Sequence, residues 1–137
     1  MSRIDWNKLE APNLAEFEEI AAEAYRRLPG RFRTLTGDLV IRIEDFATDE
    51  VLESLGIQSA FDLLGLYSGV DLSHKSVFDS GSLPDMVFLY RRPILDYWAE
   101  HEETLGQLIT HVLVHEIGHH FGLSDADMER IEAEAAV

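Results

Sequence analysis

The sequence predicts an α+β fold, a small mixed sheet packed against helices, and three observations lead there. The strand-like segments, residues 39–43, 64–69 and 85–90, lie in the middle of the chain. The segments with helical periodicity lie at both ends. The two kinds do not alternate regularly, as a βαβ series would require. A chain of 137 residues fits one domain, 1–137, and buries enough surface to fold without disulfides.

The elements follow in order. Leu14, Phe17, Ala21, Ala24 and Leu28 recur at helical spacing after Pro12-Asn13, and Pro29-Gly30 stops that helix. Arg26, Arg27, Arg31 and Arg33 form the basic cluster of the chain, read as an exposed helix end and loop. Leu39–Ile43 is β-branched and follows Gly37-Asp38, so it reads as a strand. Thr48 can cap a short helix that Gly56 ends, and Ser59 a further turn. Leu64–Gly69 looks like a strand broken by glycines. Residues 71–84 are polar and turn-rich, and they include His74. Asp85–Tyr90 is a second clear strand.

Pro93 fits the first turn of a helix reaching about Glu100. A longer helix from about Glu102 to His120 has a broad apolar face of Leu105, Leu108, Ile109, Val112, Leu113 and Ile117. Gly122 marks its end. Ser124 and Asp127 form a capping-box-like start to a last helix, whose buried stripe is Met128, Ile131 and Ala135.

Composition narrows the function. The formal net charge is −15, so DNA, RNA or an anionic membrane would be repelled at long range. There is no Cys, which excludes thiol catalysis, iron–sulfur clusters and Cys-ligated zinc. Any metal must be held by His and carboxylates. The N-terminus has no apolar run of a secretory leader and no stretch is long enough to span a bilayer, so a cytoplasmic location is the expectation.

Chemistry concentrates in His115-Glu116-Ile117-Gly118-His119-His120-Phe121-Gly122-Leu123-Ser124-Asp125. This contains H-E-x-x-H on a predicted helix. Residues four apart share a helix face, so the His115 and His119 imidazoles can reach one ion. Glu116 lies on the flank of that face, where it can meet a water without taking a ligand position. Catalytic zinc usually takes three protein ligands. Gly122 lets the chain turn back, and Asp125 is then the first carboxylate available as the third. His111 is too far from His119 for one ion, about 12 Å of helix rise, and reads as a partly solvated or supporting residue. His120 points elsewhere and reads as a packing or hydrogen-bonding residue, and His101 as part of a solvated face.

The segment from His115 to Asp125 resembles the extended zincin motif HExxHxxGxxD of the small bacterial zincin-like metallopeptidases. Leu64–Val70, Leu83–Tyr90 and Pro93-Ile94 resemble that family's central segments. The resemblance implies a compact zincin-like fold and one zinc per chain on His115, His119 and Asp125. It also implies a peptide or unfolded segment laid along a sheet edge, in a shallow cleft between the His115 helix and the sheet. Glu116 would be the general base, taking a proton from a zinc-activated water and passing it to the leaving amine. Tyr67, His74, Tyr90 and Tyr97 are alternatives for the oxyanion partner. Met128 reads as core rather than as a methionine turn. Two other classes compete: a metal-dependent ribonuclease with H-x3-H-x5-H spacing, and a non-catalytic zinc-binding module.

Overall fold

The structure, a computed structural model, describes residues 3–69 and 84–136. After a 3-10 turn at Trp6–Lys8 the elements run α1 (Leu14–Arg27), α2 (Gly30–Arg33), β1 (Val40–Glu44) and α3 (Asp49–Leu55). A second 3-10 turn at Ala60–Asp62 precedes β2 (Gly65–Ser68) and β3 (Met86–Tyr90). Then come α4 (Arg91–Ala99), α5 (Leu105–His120) and α6 (Asp125–Ala135). This is the expected α+β domain. The polar segment expected over 71–84, with His74, lies outside the described residues apart from Pro84.

Local chemistry sets most boundaries. Asn13 and Glu16 close a reciprocal capping box at α1, and Ser124 and Asp127 do the same at α6. Thr104 and Gln107 form a third such box. That box starts α5 at Leu105, three residues after the expected start. Helix α4 begins two residues earlier than Pro93 and leaves β3 directly at Tyr90. Pro93 is therefore its third residue, where an absent N–H costs no intrahelical bond. Residues 30–33, expected as loop, form the single helical turn α2, because Phe32 is buried there. Arg31 of that turn pairs with Glu134 of α6 at 2.8 Å.

The sheet order is β1-β3-β2, with β1 parallel and β2 antiparallel to the central β3. Val87 and Leu89 of β3 are fully buried in the main core. There they join Phe17, Ala21 and Ala24 of α1 and Leu108, Ile109, Val112 and Leu113 of α5. Phe88 and Tyr90, alternating to the other face, pack with Ala47 and Leu52. A second cluster joins Phe32 to Val114 and Ile117 of α5 and to Met128, Ile131 and Ala135 of α6. The α6 stripe is the one periodicity predicts, and Met128 is core. Helix α5 is thus clasped by α1, the sheet and α6. Val114 and Gly118, outside the expected apolar face, are buried as well. Among the described residues no helix is long and apolar enough to cross a membrane.

Candidate metal centre on helix α5

Helix α5 carries the chemistry on its last three turns, and two close contacts fix where those turns lie. A Cβ on Gly65 of β2 would sit 2.8 Å from Val112 Cγ1, 3.1 Å from the Phe88 carbonyl oxygen and 3.3 Å from Glu116 Cγ. Glycine at this position is what lets α5 lie against the strand. On the opposite flank a Cβ on Gly118 would collide with Met128 Sδ and come within 2.8 Å of its Cγ. The glycine inside H-E-x-x-H is the notch into which α6 packs.

Gly122 ends the helix as expected. Its φ is 73°, Leu123 N–H donates to the Gly118 carbonyl at 2.8 Å, and Gly122 N–H donates to the His119 carbonyl at 3.2 Å. This paired closure is the Schellman motif. It reverses the chain within three residues, and α6 starts at Asp125.

Glu116 turns toward the sheet. Tyr90 N–H bonds to the Leu64 carbonyl, so the ladder alternates and Gly65–Leu89 and Tyr67–Val87 are the non-hydrogen-bonded pairs. Tyr67 N–H therefore points away from β3, and the Tyr67 backbone is near enough to act on the Glu116 carboxylate. Burial raises the Glu116 pKa above the usual carboxylate value, and His119 and the Tyr67 backbone N–H pull part of the way back. The carboxylate is a stronger base than a solvated glutamate would be.

His115 and His119 share the face expected of them. Their ring centroids are 5.5 Å apart and edge-on, with His115 half-buried and His119 exposed. Burial lowers the His115 pKa, and His111 lowers it further, so the neutral ligating imidazole is favoured. Asp125, the exposed first residue of α6, is near enough for its charge to act on His115 in the opposite sense.

The ligand atoms that converge are a different set from the one expected. Among the described residues His111, His115 and Glu132 bring ligand atoms within 4.8 Å of one another and form a candidate metal site. His111 Nδ1 lies 2.6 Å from Glu132 Oε1, and its ring is 4.0 Å from that of His115. His119 and Asp125 stand outside that group. His111 is half-exposed, in keeping with its partly solvated reading, but Glu132 was missed altogether. It sits 17 residues beyond His115, and no local motif joins them; only the turn at Gly122 brings α6 back beside α5. The donors fit a borderline cation such as zinc: imidazoles one helical turn apart, with a carboxylate from the next helix.

The other expected residues divide. Tyr67 lines the site: its ring stacks on His120 at 4.0 Å and its hydroxyl donates to Asp85 Oδ2 at 2.6 Å. Burial first, then Asp85, raises its pKa. His120 is thus a packing residue, as read. Tyr90 is buried, with its pKa pushed up to about 12 by desolvation and then by the Glu44 and Glu116 charges. Tyr97 is taken up by stacking on His101 at 3.8 Å.

Residues 36–135 match the family model described as zincin-like metallopeptidase. The chain belongs to the zincin-like metallopeptidase family. The match spans every strand, the helix carrying H-E-x-x-H and the α6 carboxylates. No curated protein sequence matches this family member.

Proposed function

We propose that the protein is a zinc-dependent peptidase in which Glu116 is the general base and His115, His119 and Asp125 hold one zinc ion. The observation that carries this reading is the state of Glu116. It is a half-buried carboxylate one residue from His115, with a raised pKa, set against β2 beside Gly65. When bound, zinc supplies Lewis acidity and brings the pKa of a coordinated water towards ~7.

The chain's own residues do the rest. Glu116, basic because it is desolvated, accepts a proton from water as the water oxygen bonds to the scissile carbonyl carbon. It returns that proton to the departing amine nitrogen as the C–N bond breaks. Tyr67, on the strand beside Glu116, is itself held by stacking on His120 and by its hydrogen bond to Asp85. The substrate class that suits this site is an extended peptide or unfolded segment added beside β2. The −15 charge disfavours nucleic acid as substrate and favours cationic peptides.

The test is Glu116→Gln, which keeps shape and removes basicity. Zinc affinity should stay near wild type while cleavage of a mixed peptide library falls at least ~10²-fold. Equal cleavage by both proteins would refute the assignment of the base. Zinc binding with no cleavage by wild type would favour a binding module.

A further inference from the structure

We infer that His111 and Glu132 form, with His115, a second divalent-cation site that competes with the His119–Asp125 side for the same imidazole. The inference rests on the zinc-peptidase reading, and the variants below separate the two.

Three observations carry it. Ligand atoms of His111, His115 and Glu132 lie within 4.8 Å of one another, the compactness a small cation requires. Glu132 is held 2.6 Å from His111 by side chains from two different helices, so the pair is preorganised on the fold rather than on a mobile loop. The pair also lines a groove of about 920 Å³ between α1, α5 and α6, whose walls carry Glu19, Glu103 and Arg27 with its ion-pair partner Glu23. The groove gives an ion a way to His111 and Glu132 that does not cross the β2 side of the helix.

Competition follows from the imidazole. Neutral His115 offers one lone pair at a time, because its other ring nitrogen carries the proton. An ion on the His111–Glu132 side therefore takes His115 away from the His119–Asp125 side. To admit zinc, His111 and Glu132 must separate from hydrogen-bond distance to roughly 3.3 Å, the spacing set by tetrahedral bonds of about 2.0 Å. The groove side is thus a holding site that an excess of metal fills at the expense of the peptidase centre.

The test is binding of Co²⁺ alone, followed by its visible absorption and by equilibrium dialysis on the full chain. His119→Ala should still take up one Co²⁺ per chain, weakly, with a spectrum different from wild type. Adding His111→Gln to His119→Ala should weaken that residual binding by at least ~10-fold, the smallest loss usual for removing even a supporting partner. Adding Glu132→Gln should do the same. His111→Gln alone should leave tight one-ion binding in place. If His119→Ala binds no Co²⁺ while remaining folded by circular dichroism, the second site does not exist and the peptidase reading stands. If His111→Gln alone abolishes tight binding, His111 belongs to the main site, and both the competition and the proposed ligand set fall.

Discussion

The two flanks of α5 handle polar groups in opposite ways. On the β2 flank Glu116 is pressed against Gly65, and burial raises its pKa. On the α6 flank His111 is half-exposed, 2.6 Å from Glu132, and open to a groove. One helix thus presents a desolvated carboxylate on one side and accessible candidate ligands on the other. The contrast shows what each task needs. A base gains strength from losing water, whereas ligands must remain reachable by the ion.

The largest effect should come from the residue common to both flanks. His115→Ala removes an imidazole from either ligand arrangement. Equilibrium dialysis should show a drop in zinc affinity well beyond the ~10–100-fold expected for an outer partner. Near-normal affinity in His115→Ala would detach the metal from this helix.

Gly65→Ala should act on the β2 flank alone. The new methyl meets Val112 and the Phe88 carbonyl, and the strand backbone has little freedom to yield. Overpacking of this kind costs about 1–3 kcal/mol. Urea unfolding should show that loss, and peptide cleavage should fall because Glu116 is displaced, with zinc affinity little changed. Unaltered stability would mean that α5 can retreat from the strand.

Gly118→Ala probes the α6 flank and should cost less. Overpacking against Met128 is offset by about 1 kcal/mol of improved helix propensity. A double-mutant cycle with Met128→Ala should show coupling between the two positions. Additive effects would mean that the notch is not what seats α6.

The smallest effect concerns the strain in Glu116 itself. Its folded-state pKa lies above the unfolded value, so the folded chain holds the proton more tightly. Its contribution to stability is fully present below the unfolded pKa and is lost as pH rises through the folded pKa. In the metal-free protein Glu116→Gln should therefore raise Tm modestly at neutral pH. The difference should shrink towards pH 4, as wild-type Glu116 takes up its proton. A gap independent of pH would show that ionisation is not its source.

Much of the fold was legible in the sequence because its signals are local. Apolar spacing gave the α6 stripe, and Gly122 gave the end of α5. The expected start of α5 slipped by three residues because acidic residues 102 and 103 suit a helix N-terminus as well as a first turn does, whereas the Thr104–Gln107 box decides it. The 30–33 turn was missed because its one apolar residue, Phe32, finds its core only in α5 and α6.

The site divides along the same line. Helix geometry alone placed His115 and His119 on one face and Glu116 beside it, because 3.6 residues per turn is a property of the backbone and not of its surroundings. Tertiary structure decided that Glu116 is half-buried near the Tyr67 backbone, that β2 rather than β1 lies beside it, and that Glu132 meets His111. Those facts depend on contacts between residues 21 to 51 positions apart in the chain. No spacing rule reaches so far, and packing against Gly65 and Gly118 settles the distances.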